Sequence, residues 1–219
     1  AASSPDGGEV GDEASSGIND PEMARWVQEP LYWATRFGGA DFDPWSGQVA
    51  LWEAYGAVVN AKLKRYQGAA LTDEEQMLAS KMGISVMAGQ GLGKERCLSL
   101  MLLHYVHVLQ AYQPKGVVTA PAGPTLYSTL WPEFEKVIAG SPVLKALFTK
   151  NSKRIYLTED ETKGNFLRIE PRTIQQNSSP DDQAVTLAGI HALGVFYGVT
   201  EASGVQEAVF KPLQGGLTD

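Results

Sequence analysis

Residues 84–95 read Ile84-Ser85-Val86-Met87-Ala88-Gly89-Gln90-Gly91-Leu92-Gly93-Lys94-Glu95. The first five form a short apolar run that predicts a strand. Alternating glycines and a lysine follow. From Glu95 to Tyr112 the apolar residues Leu98, Leu100, Met101, Leu102, Leu103, Tyr105, Val106, Val108 and Leu109 go nearly all round a helix, which predicts that it is buried. Strand, glycine loop and helix in that order are the setting in which a loop can wrap phosphate. Glycines let backbone N–H groups turn inward into an anion nest. The helix start adds unpaired N–H groups and the positive end of its dipole. Lys94 would reach the β- and γ-phosphates as a point charge. The candidate ATP-binding residues are therefore Gly89, Gln90, Gly91, Leu92, Gly93, Lys94 and Glu95. Two positions depart from the motif. Ala88 stands where its first glycine belongs, and Glu95 where a Ser or Thr would bind Mg²⁺.

Outward from this loop, Pro114-Lys115-Gly116 ends the helix. Strands are expected at 117–120, 154–157, 166–169 and 193–199, with a helix at 125–138. Strand alternating with helix predicts an α/β fold with a predominantly parallel central sheet flanked by helices. Upstream, Pro21 begins a helix after Asp20, with Met23, Trp26 and Val27 on one face. Asp41-Phe42-Asp43-Pro44 breaks the pattern. A second helix is expected over 46–66. A third runs over 71–82, capped by Thr72 with Glu75 three residues on.

Residues 1–20 carry five acidic side chains, no basic one and no aromatic one, so they read as a disordered acidic tail. Residues 21–219 then form one domain. The chain does not begin with Met, which suggests processing or a fragment, and no leader supports secretion. No apolar run approaches the roughly 20 residues of a membrane span. The formal charge of −7 gives no overall footprint for nucleic acid, though a local basic surface stays open. Cys97 stands alone, which excludes an internal disulfide and fits a reducing compartment.

The strand expected at 193–199 ends at Thr200-Glu201-Ala202-Ser203-Gly204-Val205. Ligands of open α/β sheets collect at such carboxyl ends. A nucleotide hydrolase needs carboxylates there for its metal and its attacking water. Glu201 is the candidate for the water, and Glu201 with Lys94 forms the candidate catalytic pair.

Several segments, in order, resemble the ATPase domain of the large terminase subunit of tailed phages. They are the loop from Ala88 to Lys94; Thr119-Ala120-Pro121 with Pro124-Thr125 and Leu130-Trp131-Pro132-Glu133; Leu187-Ala188-Gly189-Ile190-His191-Ala192; Glu201-Ala202-Ser203-Gly204-Val205; and Gly215-Gly216-Leu217-Thr218. The resemblance spans about residues 40–219. It implies a P-loop NTPase fold of the RecA/helicase-like kind. It implies a motor that hydrolyses ATP with Mg²⁺ to translocate double-stranded DNA into a procapsid in the host cytoplasm. Its partners would be the portal protein, the small terminase subunit and further copies of itself in a ring. The family's coupling motif and nuclease domain lie beyond the matching region, so no nuclease activity is assigned. The resemblance also makes Gln48, in Pro44-Trp45-Ser46-Gly47-Gln48, a candidate adenine reader, although the family's neighbouring tryptophan is Gly47 here and Trp45 lies nearby.

Gln90 replaces a family arginine, Glu95 the metal-binding Ser/Thr, and Thr200 the aspartate before the catalytic glutamate. The last two changes exchange a hydroxyl and a carboxylate. Glu95 and Thr200 are therefore the candidate Mg²⁺ ligands of an exchanged shell. The rival reading is that Glu95 repels phosphate: two unit charges 4 Å apart cost about 1 kcal/mol in water and about 4 near protein. The alternative function is a degenerate, non-catalytic scaffold or nucleotide-binding module. A generic helicase-like enzyme is a third.

His104 and His107 share one helix at a spacing that can hold a metal, but core or surface positions are expected for them and no zinc is expected. His191 and Cys97 are expected to be structural. Arg96, Arg154, Arg168 and Arg172 are candidate charge-stabilising arginines, with a surface position as the plainer reading of each. Lys62, Lys64, Arg65 and the cluster at 150–154 are candidate DNA contacts, with a solvated face as the plainer reading.

Overall fold

In a computed structural model of the chain, residues 21–89, 91–161, 167–174, 179, 182, 185, 187, 190, 192, 194–207 and 209–210 are described. The expected acidic tail lies outside them, as do Gln90, His191 and residues 211–219.

The N-terminal helical pattern splits into α1 (Pro21–Gln28) and α2 (Pro30–Phe37). Pro30 has no N–H to continue the first ladder and sits instead at the start of the second helix. Helix α3 (Ser46–Tyr66) occupies the predicted span. Helix α4 (Asp73–Ala79) carries the predicted cap: Glu75 N–H donates to Thr72 Oγ1 (3.2 Å), and Glu75 Oε2 accepts from Thr72 N–H (2.9 Å). Lys64 pairs with Glu75 and Lys62 Nζ donates to the Ala79 carbonyl (3.2 Å), tying α3 to α4.

Helix α5 (Lys94–Val108) is buried as its apolar girdle predicts. It packs on a five-stranded sheet. Strand β1 (Lys115–Thr119) lies between β4 (Arg168–Pro171) and β5 (Val195–Val199) and runs parallel to both. Strands β2 (Phe148–Lys150) and β3 (Ile155–Leu157) are antiparallel to each other, and β3 is antiparallel to β4. The order is β2-β3-β4-β1-β5. The sheet is thus mixed, which corrects the expectation of a predominantly parallel one. The cause is local. Asn151 Oδ1 accepts from the N–H groups of Lys153 (2.8 Å) and Arg154 (3.0 Å), a side-chain turn that folds β2 directly onto β3. A tight turn can join only antiparallel neighbours.

A second correction concerns residues 84–88. They take no helix or strand conformation, and residues 84–87 are exposed. β-propensity reflects packing against neighbouring strands rather than a backbone preference. Among the described residues β5 is an edge strand, and nothing joins residues 84–88 to it.

Past β1, the helix predicted at 125–138 begins as α6 (Gly123–Thr125), widens into a π turn (Leu126–Leu130) and continues as α7 (Trp131–Gly140). Pro132 lacks an N–H, and the Trp131 N–H bonds five residues back, to the Leu126 carbonyl. A short helix α8 (Pro142–Leu147) leads into β2.

Alternation along β1 divides the core. Val118 joins the larger cluster, with Trp33, Trp52, Leu103, Phe134 and Ile169; Val117 faces the other side, with Ile174, Leu187, Val195 and Val209. Both faces of the sheet are therefore covered. His104 and His107 lie inside the larger cluster, 0% and 4% exposed. Trp33 Nε1–H donates to His107 Nδ1 (3.1 Å), so that nitrogen is bare and the ring proton sits on Nε2. His104 Nε2 faces the Trp26 carbonyl (2.9 Å) and must donate, which leaves Nδ1 to accept from Tyr55 Oη–H (2.9 Å). Burial pushes both rings well below the usual histidine range, to about 3 and about 4. The two histidines are thus core residues with protein partners. Cys97 is also buried, and burial raises its thiol.

Candidate functional site

The glycine loop meets α5 at Gly93, whose φ of 72° and ψ of 25° place it in the left-handed region. From there the Gly93 carbonyl accepts from Cys97 N–H (3.0 Å) and the helix begins. Only a residue without Cβ takes this conformation freely. Glu95 stands in the first turn of α5.

Facing it is the end of β5. Thr200 N–H donates to the Thr119 carbonyl (3.0 Å), which extends the β1–β5 ladder one residue and holds Thr200 at 6% exposure. From this position Thr200 Oγ1 donates to Glu95 Oε1 at 3.4 Å. The two residues singled out as an exchanged metal pair are therefore in contact, although they lie 105 positions apart. Glu201 follows at φ 50° and ψ 42°, an uncommon conformation for a residue with a side chain, and it is exposed at the rim of the same strand end.

Lys94 curls back across the loop, and its Nζ donates to the Ala88 carbonyl at 2.8 Å. Among the described residues this engages one of three N–H donors. Gln48, near the start of α3, also reaches the loop: Nε2 donates to the Leu92 carbonyl (3.1 Å), and Oε1 accepts from Trp45 N–H (3.2 Å). The Trp45 indole lies across Gly47, within 2.0 Å of where a Cβ would stand, so the ring takes the place a side chain at 47 would occupy. Gly89, Gly91 and Leu92 are exposed along the loop, and Gln90 lies outside the described residues.

The arrangement fits a divalent cation of Mg²⁺ type in one respect. It offers a carboxylate and a hydroxyl side by side, beside a loop that could present phosphate oxygens, and Mg²⁺ takes one or two protein ligands with substrate oxygens and waters. Among the described residues no group of three or more His, Cys, Asp or Glu converges.

The candidate arginines are engaged within the chain. Arg96 grips Asp41 through two nitrogens (2.9 and 2.7 Å) and the Gly38 carbonyl (2.9 Å). Hydrogen bonding and charge from Arg96 hold the Asp41 carboxyl down at about 2. Arg168 and Arg172 both pair with Glu170, and Arg154 lies over the Tyr156 ring at 5.3 Å. Of the candidate DNA contacts, Lys62 and Lys64 bind within the α3–α4 pair, and Lys150 pairs with Glu135 (3.1 Å). Three contacts escaped the sequence: those of the Thr119 carbonyl, of the Leu92 carbonyl and of Asp41. Two act through backbone atoms and the third through a partner 55 positions away, so no motif marks them.

Among the described residues no helix is long and apolar enough to cross a membrane. A scan against protein-family models, a search of curated proteins and a search of solved structures each return no match.

Proposed function

We propose that the chain is a P-loop ATPase domain of the large-terminase kind, hydrolysing ATP to move double-stranded DNA into a procapsid. The observation that carries this reading is the contact of Thr200 with Glu95, which brings the end of β5 to the first turn behind the glycine loop. The loop's N–H groups and Lys94 bind the phosphates. Glu201 orients the attacking water and takes its proton. Glu95 and Thr200 would hold Mg²⁺, which when bound neutralises charge on the phosphate oxygens. Double-stranded DNA, the portal protein, the small terminase subunit, a homo-oligomeric ring and the host cytoplasm rest on the sequence resemblance.

A second reading, a non-catalytic nucleotide-binding module or scaffold, has its own support. Lys94 is held by the loop's own Ala88 carbonyl, and the segment before the loop stands outside the sheet. Titration with ATP in the presence and absence of Mg²⁺, with Lys94→Ala as control, tests both. Mg²⁺-dependent binding with turnover, lost in the variant, supports the motor. Binding without turnover favours the module. Absence of any binding overturns the nucleotide reading.

A further inference from the structure

From Lys136 to Thr158 the sequence has five basic residues, Lys136, Lys145, Lys150, Lys153 and Arg154, and no acidic one, in a chain whose formal charge is −7. The fold gathers three of them at the hairpin of β2 and β3. Lys150 stands opposite Ile155, so it shares the face of the main cluster, and its Nζ lies over the Trp131 ring at 5.4 Å. Arg154 lies on the other face, over the Tyr156 ring. Lys153 is exposed in the turn between them. Among the described residues no acidic side chain pairs with Lys145, Lys153 or Arg154. Lys150 pairs with Glu135, whose side chain is 73% exposed. Such a surface pair contributes at most about 1 kcal/mol.

Cations on both faces and in the turn discriminate among polyanions. A membrane surface is flat and meets one face only. A groove has phosphates on both walls, and the major groove of B-form DNA, about 12 Å wide, admits a two-stranded ribbon. The major groove of an RNA duplex is too narrow. A single strand is held by stacking on aromatic rings, whereas Phe148, Tyr156, Trp131 and Phe134 around the hairpin are buried. Lysines also blunt sheet edges. Here β2 is the edge strand, but Lys153 and Arg154 lead into β3, an inner strand, so edge protection does not account for them.

We propose that the tip of the β2–β3 hairpin, carrying Lys150, Lys153 and Arg154, docks in the major groove of duplex DNA and holds phosphates of both walls without reading sequence. This goes beyond the reading above, which takes duplex DNA from the resemblance and gives it no surface; the hairpin is argued from charge and shape.

Fluorescence anisotropy on the full chain without nucleotide, across a salt series, tests it. The probes are two short DNA duplexes of unrelated sequence, one of their single strands and an RNA duplex of the same length; vesicles of phosphatidylserine and phosphatidylcholine compete against them. The two DNA duplexes should bind within about threefold of each other, and the single strand and the RNA duplex at least about tenfold more weakly. Lys153→Gln loses no side-chain partner among the described residues, and should lower the slope of log affinity against log salt by about 1. Lys153→Gln with Arg154→Gln should lower it by about 2. The control Arg65→Gln with Lys81→Gln removes the same charge from exposed positions elsewhere and should leave the slope unchanged. The hairpin surface is overturned by an unchanged slope in its variants, by an equal fall in the control, or by binding of single strand, RNA duplex or vesicles as tight as that of the DNA duplex. Those results leave the nucleotide reading to its own ATP titration. Absence of duplex binding by wild type at low salt overturns the hairpin surface and the DNA part of the reading above together.

Discussion

The Thr200 hydroxyl donates to the Glu95 carboxylate across 3.4 Å, joining the end of β5 to the first turn of α5. This contact makes the exchanged shell testable as a pair. Glu95→Thr removes the only carboxylate of the two. Thr200→Asp sets two carboxylates at hydrogen-bonding distance, a repulsion of about 4 kcal/mol near protein. Each single change should lower Mg²⁺-dependent ATP hydrolysis at least about tenfold, equivalent to 1.4 kcal/mol in the barrier. The double variant, with one hydroxyl and one carboxylate again, should recover most of the loss. Steady-state hydrolysis across the four proteins checks this, and a rise in either single variant would sink the exchanged shell.

Stability should fall with acid before the carboxylates titrate. Burial holds His104 and His107 neutral, at about 3 and about 4, while the unfolded chain protonates both near 6.5. Between about pH 6.5 and about pH 4 the unfolded state therefore binds more protons, and stability rises with pH. Each histidine contributes a slope approaching about 1.4 kcal/mol per pH unit. Asp41, with its carboxyl held at about 2 by Arg96, loses its contribution as the pH falls from 3.8 to about 2, below most of the histidine window. Urea unfolding at about pH 7.5 and about pH 5 measures the histidine term. Equal stability at both values would contradict the buried, neutral rings.

Gly93→Ala meets two obstacles at once. The left-handed backbone costs a residue with Cβ roughly 1–2 kcal/mol, and the new methyl meets Gln48 Nε2 at 2.8 Å. Adding Gln48→Ala should relieve the steric part and leave the backbone part. A double-mutant cycle on thermal unfolding should show a coupling of about 0.5–1 kcal/mol. Additive effects would mean that the amide does not occupy the space above Gly93.

Peroxide should select methionines by exposure. Met87 is 97% exposed, with Met82 and Met77 more than half exposed, while Met101 is 5% exposed within α5. Peptide mapping after brief oxidation should find sulfoxide first at Met87, then at Met82 and Met77, with Met101 protected until unfolding. Protection of Met87 would mean that residues 84–88 lie in a covered strand, as the sequence pattern alone suggested.

Much of the fold was legible. The helix over 46–66 and the Thr72–Glu75 cap follow from spacing and side-chain chemistry that act within one turn. The burial of α5 follows from its apolar girdle. What misled was pairing, which is not a local property. Ile84-Ser85-Val86-Met87 has strand composition but no neighbour in the sheet. Strand β3 lies within the expected 154–157, but its hairpin partner β2 was hidden because three residues carry no period, although Asn151 between Phe148 and Ile155 was a turn signal. At the candidate site, Glu95, Thr200, Lys94 and Gln48 were all named from the sequence. The backbone partners of Lys94 and Gln48 were not, because the Ala88 and Leu92 carbonyls look the same at every residue.

The placement of the tryptophans has an optical consequence. Trp26, Trp33, Trp52 and Trp131 are packed into the main cluster, whereas Trp45 is 49% exposed and lies three residues before Gln48. Red-edge emission quenched by acrylamide should come from Trp45, while the other four emit to the blue and stay shielded. The chain thus carries its own fluorophore beside the glycine loop, and occupancy there can be followed without a dye.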